Sequence, residues 1–177
     1  MTRLTRPRRL TGPILVTVLG LVCGCTASPE ESGEPPTSAT PTKERPTVDV
    51  ATVDLGEYAR DLYELTNDVR ADEGHRSLEY SDCAEQQAAA RAEDLVGTEE
   101  LEHAPMHGVL EECSASFSAE NLVRSVAEPP AVIDAWMNSS GHRENLMSED
   151  ATRLGVACTL DDDQILCSQI YLGPADE

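Results

Sequence analysis

The sequence predicts an α+β domain in which helices cover both faces of a small antiparallel sheet. Three observations carry this prediction. Apolar residues recur at helical spacing early in the domain, an alanine-rich run follows, and the chain closes on two β-rich stretches around an acidic turn. A sheet covered by helices on both sides accounts for that order of elements.

Leu55, Tyr58, Leu62, Leu65 and Val69 fall at steps of three and four residues and predict an amphipathic helix of about four turns, ended by Gly74. Asp82 and Glu85 have the spacing of a capping box with Asp82 as cap, so the alanine-rich run from Ala84 to Val96 predicts a second helix, closed by Gly97. Between Gly97 and Ala127 no period is sustained. This stretch predicts a long loop with a short helix at His107–Cys113 and a strand at Ala119–Ser125. A loop of that length in a small domain is commonly functional or disordered. Glu128-Pro129-Pro130 starts a third helix, where proline is tolerated in the first turn. That helix carries Val132, Ile133, Trp136 and Met137 and stops at Asn138–Gly141. A short helical turn runs through Asn145 and Leu146, and a hairpin over 154–160 and 164–171 follows.

The N-terminus carries processing signals. Arg3, Arg6, Arg8 and Arg9 precede an apolar run from Ile14 to Val22, too short for a bilayer span of about 20 residues but suited to a secretory signal. The run ends in Val22-Cys23-Gly24-Cys25, which resembles a bacterial lipobox. Residues 1–25 are therefore expected to be a lipoprotein signal peptide, with Cys25 the lipidated residue. Ordinary cleavage nearby, giving a freely secreted protein, is the alternative. Residues 26–53 contain Pro29, Pro35, Pro36, Pro41 and Pro46 among Ser, Thr and Glu and predict a disordered linker. Residues 54–177 form the domain. The expected location is the extracytoplasmic face of the cell membrane, with the lipid at Cys25 as the membrane partner.

With four of the thirteen Lys and Arg in the leader, the remaining nine face 33 Asp and Glu, a net charge near −24. That field excludes nucleic acid as a partner and disfavours direct docking on anionic lipid, while it favours cations and solubility. The chain is expected to be a monomer.

Export permits disulfides, and Cys83, Cys113, Cys158 and Cys167 follow the leader. Three pairings are possible. If Asp162-Asp163 is a two-residue loop, Asp161 faces Gln164 and Cys158 faces Cys167. That position is a non-hydrogen-bonded pair with Cα atoms about 4.5 Å apart, within disulfide reach. Cys83 and Cys113 then form the second bridge.

Three segments carry suggestive side chains: Glu102-His103-Ala104, Ala119-Glu120-Asn121-Leu122 and Gly141-His142-Arg143. Two histidines and a carboxylate are the ligand set of several catalytic zinc and other divalent sites. Together these segments resemble the CAP superfamily of cysteine-rich secretory proteins, antigen 5 and pathogenesis-related proteins, in its bacterial SCP-like form. Asn67-Asp68-Val69-Arg70 resembles the family's Asn-x-x-Arg, Leu78 and Tyr80 stand as expected before the second helix, and Ala119-Glu120-Asn121-Leu122 resembles its Gly-Glu-Asn-hydrophobic motif. Trp136-Met137-Asn138-Ser139-Ser140-Gly141-His142-Arg143-Glu144-Asn145-Leu146 resembles the bacterial Trp-Met-x-Ser-Pro-Gly-His-Arg-x-Asn-Ile-Leu motif, and Leu154-Gly155-Val156 and Gln169-Ile170-Tyr171 the closing strands.

The resemblance implies a three-layer α-β-α sandwich with a cleft holding His103, His142 and Glu120. Ser139 stands where eukaryotic members carry a second glutamate, and Ala119 replaces the glycine. Asn121 and Asn145 are expected to lock loops around the cleft, Arg143 to pair with Glu144 or Glu149 or face solvent, His75 and His107 to lie on the surface, and Trp136 to sit in the core with its indole N–H partnered. Three functions compete. One is a non-enzymatic envelope module binding a divalent cation such as zinc or magnesium, a lipid or a protein. Another is a metal-dependent hydrolase with His103 and His142 as ligands and Glu120 as general base. The last is a serine hydrolase using Ser139 or Ser140 with His142 and Glu120, for which no Gly-x-Ser-x-Gly elbow is present.

Overall fold

The computed structural model describes residues 46–175, so the leader, Cys25 and the linker up to residue 45 lie outside the described residues. The elements are α1 (Leu55–Asp72), β1 (Glu79–Tyr80), α2 (Asp82–Asp94), α3 (His107–Glu112), β2 (Ser118–Ser125), α4 (Pro129–Met137), α5 (Ser140–Leu146), β3 (Arg153–Asp161) and β4 (Gln164–Leu172). Among the described residues, no helix is long and apolar enough to cross a membrane.

The sheet order is β1-β3-β4-β2. The β3–β4 hairpin closes on the predicted register, with Asp161 opposite Gln164 and Cys158 opposite Cys167, and β2 lies antiparallel along β4. One correction concerns β1. This two-residue strand pairs parallel with β3 through Glu79–Arg153 and Tyr80–Leu154, so the sheet is antiparallel with one short parallel edge. Two residues are too few to show a period of two.

Strand alternation divides the core into layers. Ile165, Cys167 and Tyr171 of β4 pack with Leu62 of α1, Val132, Ile133 and Trp136 of α4 and Leu146 of α5. Leu166, Ile170 and Leu172 turn the other way, toward Ala84, Ala88 and Ala92 of α2 and Val109 of α3. β4 is buried along nearly its whole length, as a strand covered on both faces must be.

The starts of α1 and α2 have side-chain caps. Asp54 Oδ1 accepts the Glu57 N–H at 2.9 Å in α1. In α2 the cap is Ser81, whose Oγ accepts the Ala84 N–H at 3.2 Å, and not Asp82 as the sequence spacing predicts. Glu85 is drawn away from a capping role by the Tyr80 hydroxyl, which donates to it.

The Asn-x-x-Arg segment of α1 acts as a clasp. Asn67 Nδ2 donates to Leu78 O at 3.1 Å, and the Leu78 N–H donates to Asn67 Oδ1 at 2.7 Å. Arg70 is fully buried and donates from Nη1 to Leu146 O at 2.6 Å and Ser148 O at 3.0 Å, capping the end of α5. The folded region also begins earlier than residue 54. Thr47 bridges Ala127, the Val48 N–H donates to Val126 O at 2.9 Å, and Val48, Val50 and Val53 pack against the core. Three valines in an otherwise polar run, next to an open strand edge, are sufficient cause.

Both disulfides form as expected, Cys83–Cys113 with Cα atoms 5.7 Å apart and Cys158–Cys167 with Cα atoms 4.1 Å apart. The first ties α2 to the end of α3 and the second staples the hairpin.

α2 lies close on β3 because Gly155 presents no side chain. A Cβ there would stand 2.1 Å from Glu85 N, 2.4 Å from Ala84 C and 2.7 Å from Ala84 Cβ. The first two contacts are backbone and cannot rotate away. Gly155→Ala is expected to destabilise the domain by about 3 kcal/mol or more, at or beyond the upper end of ordinary overpacking. A urea midpoint unchanged from wild type contradicts this packing.

Candidate functional site

β2 is an edge strand, and the candidate site is built around it. Successive side chains of β2 point to opposite faces of the sheet. Glu120 goes to the α2 face and meets Arg91 of α2 and Ser168 of β4. Asn121 goes to the other face and meets Tyr171 and the loop that opens α5. His103 belongs to the α2 side and His142 to the α5 side, so the two histidines approach each other around one sheet edge.

Glu120 is the fixed point. Its side chain is 1% exposed. Oε1 accepts from Ser168 Oγ at 2.9 Å and from Arg91 Nε at 3.2 Å, and Oε2 accepts from Arg91 Nη2 at 3.4 Å. His103 Nδ1 lies 2.8 Å from Oε2. A carboxylate beside an arginine accepts hydrogen bonds, so Nδ1 carries a proton, and in the neutral form of the ring the lone pair lies on Nε2. The His103 side chain is 53% exposed, which leaves Nε2 as the nitrogen available to a ligand.

His142 occupies the start of α5, half-buried, with its ring 6.3 Å from that of Trp136. Burial, and then the nearby His103, hold its imidazole below the ordinary value of 6.5. It is therefore neutral at pH 7. Because its folded-state value is depressed, its contribution to stability is fully present above about pH 6.5 and is lost as the pH falls through the folded-state value.

The residues between Trp136 and Leu146 position this histidine by covering the free edge of β2. Trp136 Nε1 donates to Leu122 O at 3.3 Å, and Asn145 Nδ2 donates to Glu120 O at 3.0 Å and to Asn121 Oδ1 at 2.9 Å. Asn121 Nδ2 in turn donates to His142 O at 3.2 Å. Both asparagines thus hold the loop, as expected, and Trp136 is buried with its N–H partnered. Arg143 differs from expectation. It pairs with Glu73 at 2.9 Å, 70 residues away in the chain, and not with Glu144 or Glu149. His107 is exposed at the start of α3 and His75 is half-buried beside Arg70.

The expected ligand set of His103, His142 and Glu120 comes together with a changed division of labour. Glu120 stands behind His103 with its oxygens taken by Arg91, Ser168 and His103, not beside the imidazoles as a third donor. Among the described residues, no three His, Cys, Asp or Glu side chains are arranged to hold a metal ion by themselves. The same engagement leaves Glu120 with no free oxygen to act as general base on a water. No hydrogen bond among the described residues joins the Ser139 or Ser140 side chain to His142. Ser139 is the N-cap residue of α5 and Ser140 its first residue. Arg91 and Ser168 escaped the sequence reading. Their only signals were the i,i+2 relation of Ser168 to Leu166 and Ile170 on the α2 face and a single cation in the alanine-rich helix.

Residues 63–171 match the family model described as the cysteine-rich secretory protein family, CAP. The uncharacterized protein YkwD of Bacillus subtilis is 29% identical over 109 residues, covering 58% of this chain and 42% of that protein. The chain spans less than half the length of the curated relatives it matches. The same fold is found in a cysteine-rich secretory protein of Staphylococcus aureus, with TM-score 0.60 and 23% identity over 68% of this chain and 40% of that one. An outer surface protein of Borrelia burgdorferi aligns with TM-score 0.59 and 24% identity over 70% of this chain and 97% of that one.

In a proton NMR titration the His142 ring signal is expected to move with a midpoint below 6.5. In His103→Asn the midpoint should rise yet stay below 6.5, because burial is the larger cause. A wild-type midpoint at or above 6.5 contradicts the arrangement.

Proposed function

Because this chain belongs to the cysteine-rich secretory protein (CAP) family, we propose that it serves at the extracytoplasmic face of the cell as a non-enzymatic binding module, tethered by lipid at Cys25. Its ligand site is the pair His103 and His142, and the ligand class is a divalent cation such as zinc or magnesium, alone or as the bridge to an envelope lipid or protein.

The observation that carries this reading is the hydrogen bond from His103 Nδ1 to the buried Glu120. A histidine that ligates a metal nearly always gives its other ring N–H to a carboxylate, carbonyl or water, which fixes the tautomer and raises the basicity of the ligating nitrogen. His103 has that arrangement, with the carboxylate itself locked by Arg91 and Ser168. His142 is a neutral imidazole nearby, as a ligand must be. The donor set therefore fits a cation held by two protein nitrogens, with further positions left to water or to a partner's groups. Two imidazole nitrogens favour zinc over magnesium, which prefers oxygen donors. A bound zinc would supply Lewis acidity. Catalysis would also need a general base, and the carboxylate present is already engaged by Arg91, Ser168 and His103. The metal-dependent hydrolase is accordingly the second reading, and the serine route has no supporting contact.

Calorimetry of the purified protein with zinc at pH 7.5 is expected to give saturable heat, lost in His142→Ala and in His103→Ala. Affinity should fall below about pH 6.5 as imidazole protonation competes. Equal zinc heat in both variants removes the proposal, and turnover of protein, ester or peptidoglycan substrates would restore the hydrolase.

Glu120→Gln should retain zinc binding about 10–100-fold weaker, the usual cost of losing an outer carboxylate. It should also lower stability, because it leaves the Arg91 charge without its buried partner. Undiminished zinc affinity in a folded Glu120→Gln protein contradicts the assigned role of this carboxylate.

A further inference from the structure

Seven arginines lie among the described residues. Arg60, Arg91, Arg124 and Arg143 each form an ion pair with a carboxylate. Arg70, Arg76 and Arg153 form none with any described residue. In a chain with 33 acidic residues against 13 basic ones, uncompensated arginines are the exception. Two of these three line the same cavity, a polar pocket of about 220 Å³ walled by Arg70, Gly74, His75, Arg76 and Glu149. It lies at the C-terminal end of α1.

Arg70 is unusual in itself. It is 2% exposed. Nε donates to Arg76 O at 2.9 Å, and Nη1 donates to Leu146 O and Ser148 O. Nη2 has no protein partner among the described residues, and it is not a buried atom left unsatisfied, so this nitrogen keeps access to solvent where Arg70 lines the pocket. An arginine stays charged in a protein, and a buried charge carries a large desolvation penalty unless an opposite charge offsets it. Burial lowers the guanidinium from its ordinary value, opposed in part by Tyr171 and reinforced by the smaller effect of the adjacent Arg76 charge. His75 lines the same pocket. Glu149 is the one carboxylate lining the pocket, and it forms no ion pair with Arg70, Arg76 or His75.

We infer that this pocket is an oxyanion site, built for a phosphate group that the free Nη2 of Arg70 receives with Arg76 and His75 at the rim. Arginine forks and phosphate oxygens match in geometry and charge. The pocket is independent of the His103–His142 pair, with no lining residue in common. A phosphate could arrive as a soluble or polymer-borne ester or as a lipid head group. The chemistry is the same, and the acidic surface disfavours the lipid.

The test is phosphorus NMR of inorganic phosphate at millimolar concentration with the purified protein, at constant ionic strength in chloride. Wild type is expected to broaden the resonance. Arg76→Gln should weaken binding about tenfold, the typical effect of one charge-assisted hydrogen bond. Glu149→Gln should tighten it by removing the opposing carboxylate. Neither rim substitution touches the α5 cap, so both proteins should fold. Cosedimentation with phosphatidylglycerol vesicles, lost in Arg76→Gln, would support the site and assign the phosphate to lipid. Binding of inorganic phosphate without vesicle binding would support it and assign a soluble or polymer-borne ester. Broadening that is absent in wild type, or equal in Arg76→Gln, overturns the site. Destabilisation by Glu149→Gln with no phosphate response also overturns it, because the pocket is then closed by the chain's own carboxylate.

Discussion

An edge strand carries a row of carbonyls that must find donors if the strand is to be covered. In this domain the strand is β2, and satisfying its free edge organises the molecule. Asn145 and Trp136 reach Glu120 O and Leu122 O, two positions apart on the strand. Tyr58 Oη donates to Ala127 O at 2.7 Å, and the Val48 N–H covers Val126 O. Donors from α4 and α5 thus cover the edge of β2, and donors from α1 and the N-terminal segment cover the turn that follows it. A tryptophan and an asparagine nine residues apart recur in one motif because the helix break between them folds both back on the same strand. His142 sits in the first turn of α5, just after that break, and its position follows from the coverage of the edge.

Burial sorts two charged centres of the domain, Glu120 and Arg70, differently. Glu120 is deeply buried but surrounded by donors, with an arginine, a hydroxyl and an imidazole on its two oxygens. Such a centre is costly to build and costlier to break, since removing one partner leaves a charge unpaired. It gives geometric definition to His103, an exposed residue in a long loop that packing alone would leave mobile. Arg70 has the opposite sign and lacks a carboxylate. Carbonyls at the end of α5 and at Arg76 satisfy it in part. The first centre is closed and orients a histidine, while the second is open at one nitrogen.

Much of this was legible in the sequence. The period of α1, the proline start of α4 and the hairpin register each depend on neighbours within a few residues, and local spacing reports them directly. Cys158 opposite Cys167 follows from the turn alone. The elements that escaped are those set by distant contacts. β1 is only two residues long and exists because Arg153–Leu154 lies beside it. Ser81 displaces Asp82 as cap because the backbone bends one residue earlier, where the Ser81 N–H donates to Leu154 O. Arg143 finds Glu73 across 70 residues, which no helix spacing suggests. At the site, His103, His142 and Glu120 were visible as residue types in shared motifs. Their roles were not, because the difference between a ligand and the residue that orients one lies in which oxygen faces Arg91 and Ser168.

The pairing of Pro46–Val48 with Val126–Glu128 bears on how the domain responds to load. A pull on the N-terminal segment does not act on α1 directly. It is taken up first by the Glu128 N–H to Pro46 O bond at 3.3 Å, then by Val48 to Val126, and only afterwards by the packed valines before Asp54. Those few bonds act as a mechanical fuse. Parting them would break neither the caps of α1 and α2, nor either disulfide, nor the His103–Glu120 contact.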